Sequence, residues 1–189
     1  WALFFLVSSW LVYDLLCRVV GLRDRILGVL VTLMVIALAW SATSVFAGRA
    51  AFLLVGASLA TIMTANVFFV IIPGQRRMVA ALARGEQPDP LPGLRGKQRS
   101  VHNTYFTLPV VFAMLSIHYA SAYAHQHNAV LLLAFMAAGA LIRQFFVLWH
   151  SGGRAWWLLV VGGLVLIGAF ALMAPLPSIG PAAAPASTA

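Results

Sequence analysis

The residues with the most chemistry to offer gather at the end of one apolar run and the start of the next. Asn66, Gln75, Arg76 and Arg77 close the first; Gln98, Arg99, His102, Asn103 and Tyr105 open the second. Arg presents a planar fork of donors, and Gln and Asn present paired donors and acceptors. Together they suit a flat, anionic, amide-rich ligand better than a simple cation. His102 and Tyr105 are the proton-transfer candidates by position. Helix capping and headgroup contact are the competing use of the same groups. The other histidines are His118, His125, His127 and His150. His102 and His118 fall on one expected helix, about 24 Å apart along its axis, so they cannot share an iron. His118, expected inside a span, is the candidate haem ligand; a hydrogen-bonded structural histidine is the other reading. Cys17 is the single cysteine, which excludes an intrachain disulfide and a multi-cysteine zinc site. Asp14 lies within an apolar run, where an unpaired carboxylate costs several kcal/mol, and Arg18 supplies an i,i+4 partner.

The elements that must hold these groups are set by composition. Of 189 residues 62% are hydrophobic and 8% charged, with a mean hydropathy of +0.96. Such a chain is not a soluble globular enzyme, and its apolar residues form long blocks rather than heptads or low-complexity tracts. A hydrocarbon core of about 30 Å needs roughly 20 helical residues. Six segments meet that length: Trp1 to Val20, Ile26 to Phe46, Ala50 to Ile72, Asn103 to Tyr123, Asn128 to Trp149 and Ala155 to Ala174. Continuous rather than alternating runs select helices over a barrel. The expected fold class is an all-α polytopic transmembrane helix bundle over 1–174, its first span clipped. The start at Trp1, already apolar, reads as a piece of a longer protein. Gly56, Ala60 and Thr64 form an expected small-residue packing face, with Asn66 bonding to a neighbouring helix. Trp149, Trp156, Trp157, Tyr119 and Tyr123 fit interfacial aromatic belts.

Twelve Lys and Arg against four Asp and Glu give a net charge of +8. Alternating the spans puts Arg18, Arg23, Arg25, Arg76, Arg77, Arg84, Arg95, Lys97, Arg99, Arg143 and Arg154 on one side and Arg49 alone on the other. By the positive-inside rule the basic side is cytoplasmic and the C-terminus external. The basic excess is thus topological, and no stacking platform for nucleic acid accompanies it. The stretch 73–102 is expected as one long cytoplasmic loop, opened by Pro73-Gly74, with a short helical piece Arg76 to Arg84 and turns at Gln87-Pro88-Asp89-Pro90 and Pro92-Gly93. The Pro/Ala-rich residues 175–189 read as an external tail or linker.

The runs Ala65-Asn66-Val67-Phe68-Phe69-Val70-Ile71-Ile72-Pro73-Gly74-Gln75-Arg76 and Gln98-Arg99-Ser100-Val101-His102-Asn103-Thr104-Tyr105-Phe106-Thr107-Leu108-Pro109, with Trp10-Leu11-Val12-Tyr13-Asp14, resemble the membrane domain of the bacterial cytochrome-c-linked urate oxidase (urate hydroxylase) family. The resemblance covers at least residues 10–149. It implies an inner-membrane protein that oxidises urate to 5-hydroxyisourate and passes electrons to cytochrome c, either a C-terminal domain or a separate protein. This chain has no Cys-x-x-Cys-His sequence of its own for covalent haem attachment. A family histidine that commonly precedes Val55-Gly56-Ala57 is replaced by Leu54, at a depth similar to that of His118, which puts an intramembrane haem b site in doubt. On this reading Gln75, Arg76, Gln98, Arg99 and Asn103 bind the urate anion, and His102 or Tyr105 moves a proton. The alternative is a non-catalytic or haem b-bearing electron-transfer subunit of a larger respiratory membrane complex. A transporter ranks last, for want of a pair of broken helices.

Overall fold

The structure, a computed structural model, describes residues 1–174; the tail expected at 175–189 lies outside the described residues. Every element in the described residues is helical: α1 (Ala2–Val20), α2 (Asp24–Val45), α3 (Gly48–Asn66), α4 (Ile72–Ala83), α5 (Pro90–Leu115), α6 (Ala120–Tyr123), α7 (Asn128–His150) and α8 (Trp157–Met173). α3 lies at the centre, packed against α1, α2 and α5, while α5 packs against α7 and α7 against α8. Tyr13, Leu27, Phe52, Val55, Leu59 and Ile62 fill the interior of the bundle. Large apolar side chains such as Leu33, Trp40, Phe68, Leu164 and Phe170 cover its outside. A water-soluble surface does not carry that much contiguous apolar area. Among the described residues four helical stretches are long and apolar enough to cross a membrane: α1, α2, the unit Gly48–Ala83 and α7. α8 is more apolar than any of these but shorter, at 17 residues. The protein is a helical bundle of the membrane type.

The expected loop 73–102 is instead mostly two helices, α4 and the polar half of α5. Pro73-Gly74 does not end the third span. A proline inside a helix has no N–H to give and its ring collides with the carbonyl four residues back. Here that carbonyl belongs to Phe69, inside a π turn over Val67–Ile71, and the N–H of Ile72 bonds Val67 O, five residues back. The wider turn provides for the missing i→i−4 bond, and the helix runs on to Ala83. Arg84 and Glu86 pair through two hydrogen bonds of 2.9 and 2.7 Å at the turn that follows. The Arg84 guanidinium holds the Glu86 carboxyl below the usual carboxylate range. Asp89 then caps α5, accepting from Leu91 N at 2.9 Å with Pro90 at the first helical position. Pro92-Gly93, expected as a turn, lies in the first turns of that helix. A Cβ at Gly74 would stand 3.1 Å from Pro92 O, and one at Gly93 would stand 2.8 Å from Met78 Sδ, so these two glycines let α4 and α5 close into a hairpin.

The helix that carries the expected fourth span is also displaced. α5 begins at Pro90 rather than Asn103, its polar first half keeps it out of the four apolar stretches, and it ends at Leu115, giving way to a 3₁₀ turn over Ser116–His118 before the one-turn α6. Of the expected small-residue face only Gly56 is buried, its would-be Cβ 3.2 Å from Ala113 Cβ and Met114 Cγ of α5; Ala60 is half-buried and Thr64 exposed. The buried stripe of α3 runs instead through Ala51, Val55, Ser58, Leu59 and Ile62.

Candidate functional site

Two stripes of α5 carry the polar groups, because residues three, four and seven apart share a helix face. Arg95, Arg99 and Asn103 look toward α1 and α3. Gln98, His102, Tyr105 and Pro109 look toward α2 and α7.

On the first stripe a continuous network crosses three helices. Arg99 is buried; its Nη2 donates to Asp14 Oδ1 at 2.6 Å and its Nη1 to Asn66 Oδ1 at 3.0 Å. Asp14 also accepts from Arg18 Nε at 2.5 Å, the expected i,i+4 pair. Its stronger tie is to Arg99, because an exposed Arg18 forfeits most of its attraction to solvent. Asn66, fully buried, spends both amide hydrogens: one goes to Tyr13 OH at 3.1 Å and one to Asn103 Oδ1 at 2.8 Å. Asn103 in turn donates to Met63 O at 3.0 Å. The Arg99 guanidinium also stands 4.9 Å from the centroid of the Tyr13 ring.

Hydrogen-bond accounting then assigns the last link. Tyr13 OH and His102 Nδ1 are 2.7 Å apart. Tyr13 already accepts from Asn66, so its own hydrogen is available to His102 Nδ1, with the Cys17 sulfur as the other neighbour of the hydroxyl. With that assignment neutral His102 carries its proton on Nε2, the ring nitrogen that Tyr13 does not engage.

His102 is also where the network meets a cleft of about 870 Å³ between α2, α5 and α7. The polar groups of the cleft are Asp24, Thr32, Lys97, Gln98, His102 and Tyr105; Val31, Phe106, Pro109 and Met136 are among its apolar walls. Gln98 Nε2 bridges Asp24 Oδ1 at 2.7 Å and Gly21 O at 3.0 Å, which fixes its amide plane. Tyr105 donates its hydroxyl hydrogen to Gln144 Oε1 of α7.

The expected site residues thus divide. His102, Tyr105 and Gln98 come together along the cleft. Arg99 and Asn103 lie behind His102 with their hydrogen-bonding groups committed to the network. Gln75 and Arg76 are exposed on α4 and line neither this cleft nor the smaller cavity described below. His118 is exposed on the 3₁₀ turn, Leu54 is buried in α3, and neither lines either cavity. With no ligand atom on Leu54 and His118 exposed, that pair of positions does not fit a haem held between two histidines. Among the described residues no group of three or more His, Cys, Asp or Glu is placed to hold a metal ion.

Tyr13, Asp24, Lys97 and Gln144 were not singled out from sequence as site residues. A tyrosine beside a carboxylate within an apolar span was the available signal for Tyr13; Lys97 sits next to Gln98 and was visible only as topological charge. Residues 1–174 match the family model for the urate oxidase N-terminal region. No curated protein and no solved structure matches the chain.

Proposed function

We propose that this chain, which belongs to the urate oxidase N-terminal family, oxidises urate in the cleft between α2, α5 and α7 as a multi-pass protein of the bacterial inner membrane. Urate and water give 5-hydroxyisourate, two protons and two electrons, and the electrons leave one at a time to cytochrome c, fused or separate. The basic helix ends face the cytoplasm and the C-terminus the external side, so substrate enters from the cytoplasm. Lys97 attracts the urate anion to the cleft. Gln98, its amide held by Asp24, reads one amide edge of the purine. His102 offers an N–H from Nε2 toward the urate or its attacking water, and Tyr105 lies one turn deeper. Arg99 and Asn103 act as positioning residues, since through Asn66 and Tyr13 they hold the His102 ring.

The observation that carries this reading is His102 at the junction of a committed hydrogen-bond network and an open cleft. A general acid or base must be oriented and yet reachable, and few buried histidines are both. The test is urate-dependent reduction of added cytochrome c by membranes carrying the wild-type chain or His102→Ala. Loss of a general acid or base lowers turnover by about 10²- to 10⁴-fold. Equal rates in the two membranes would remove His102 from the chemistry; no urate-dependent reduction by the wild type in the presence of cytochrome c would remove the function.

A further inference from the structure

A second cavity, of about 470 Å³, meets the cleft at Gln98, which lines both, and lies between the end of α1, the π turn with α4, and the first turns of α5. Arg18, Arg77, Arg95 and Arg99 line it, with Asp14 as its sole carboxylate. Four cations against one anion leave three positive charges uncompensated around one concavity. The chain has four carboxylate side chains, and each has a hydrogen-bond partner. Asp14 holds Arg18 and Arg99, Asp24 holds Gln98, Glu86 holds Arg84, and Asp89 caps α5. Among the described residues no carboxylate pairs with Arg77 or Arg95.

The cavity's height and its apolar side narrow the choice of anion. Arg18 stands in the last turn of α1, at the end of a 19-residue apolar helix, which is where a bilayer's headgroups lie. Phe69 lines the cavity and is 68% exposed on the outer surface, beside Phe68 and with its ring centroid 5.6 Å from that of Trp10. The apolar wall of the cavity therefore continues onto the surface that faces acyl chains. Basic pockets between helices at this depth suit anionic headgroups, and the Arg fork matches phosphate oxygens in pairs.

We propose that this cavity binds the phosphate of an anionic phospholipid, with Arg77 and Arg95 gripping the headgroup at the rim, Arg99 forming the floor, and an acyl chain lying along Phe69 and Trp10. The proposal does not depend on the urate reading, since its two rim arginines, Arg77 and Arg95, line this cavity and not the cleft.

The test is native mass spectrometry of the purified chain in neutral detergent, titrated separately with phosphatidylglycerol, phosphatidylcholine, inorganic phosphate and urate. The wild type is expected to retain one phosphatidylglycerol at concentrations where phosphatidylcholine and inorganic phosphate are not held. Arg77→Ala/Arg95→Ala is expected to weaken that binding by at least about tenfold, two surface cations each acting on one headgroup. Arg23→Ala/Arg154→Ala, also exposed but outside the cavity, should leave it unchanged. Circular dichroism checks that both pairs stay folded. Equal retention of the two lipids, or no effect of Arg77→Ala/Arg95→Ala, overturns the proposal. Phosphate held as tightly as the lipid makes this a soluble-anion site and overturns the lipid assignment. Urate displaced by Arg77→Ala/Arg95→Ala returns the cavity to the substrate and overturns it too.

Discussion

Asp14→Asn isolates the energetic role of the network, because it removes one charge and keeps the shape. In the native protein the Arg99 side chain is 6% exposed and has Asp14 as its counter-ion, at 2.6 Å. Without that charge Arg99 becomes a buried, uncompensated cation, a change that costs about 3 to 5 kcal/mol when one partner of a buried pair is removed. At 3 kcal/mol the folding equilibrium falls by roughly two powers of ten. Arg18→Ala removes the other partner of the same carboxylate. Arg18 is 76% exposed, so its loss costs at most about 1 kcal/mol. The assay is reversible unfolding of the detergent-solubilised protein by increasing denaturing detergent, followed by circular dichroism. The expected order is wild type, then Arg18→Ala close behind, then Asp14→Asn well below. A double variant Asp14→Leu/Arg99→Met should recover part of the loss, because apolar residues of similar volume replace a buried pair at little cost. Equal midpoints for Asp14→Asn and Arg18→Ala would refute the reasoning, since they would mean that Arg99 does not rely on Asp14.

Tyr13→Phe removes the hydrogen bond to His102 Nδ1 and leaves one Asn66 N–H without its acceptor, for a stability loss of about 1 to 3 kcal/mol. In urate-dependent cytochrome c reduction it should lower kcat with KM little changed, because the His102 ring loses its orientation while the cleft keeps its lining. Lys97→Ala should do the reverse, raising KM with kcat held, and the effect should shrink as salt is added. Gly48→Ala would put a Cβ 1.8 Å from Tyr123 O, whereas Gly163→Ala meets nothing within 4 Å. Thermal unfolding should show the first destabilised by at least about 1 to 3 kcal/mol and the second neutral or slightly stabilised.

The apolar helices were legible because burial in lipid demands a run of a given length, and α1, α2 and α7 lie within a few residues of their expected bounds. α4 and the first half of α5 were not. A hydropathy argument cannot distinguish a polar helix from a loop, and Pro73-Gly74 and Pro92-Gly93 looked like stops. The Asp89-Pro90 cap was readable as a helix start; the π turn was not, since nothing local distinguishes a proline that ends a helix from one that a wider turn accommodates. The Asp14–Arg18 pair followed from spacing alone. The Asp14–Arg99 pair joins residues 85 positions apart and needed the packing of α1 on α3 and of α3 on α5.

That difference explains why the charges were half understood. With twelve basic residues and four acidic ones, the sequence requires most cations to lack a protein partner, but not where they lie. Local spacing assigns Asp14 to Arg18 and leaves Arg99 free to hold a substrate. Tertiary packing gives Asp14 to Arg99 as well, because the gain from neutralising a buried guanidinium exceeds that at an exposed one. Arg99 is thereby tied to Asp14 and Asn66, and the uncompensated charge lies at Lys97 beside the cleft and at Arg77 and Arg95 in the second cavity. An anion that approaches α5 meets different cations at the cleft and at the second cavity, with His102 facing the cleft alone. In the proposed reading, that asymmetry has one helix serve a reacting anion at the cleft and a headgroup at the second cavity.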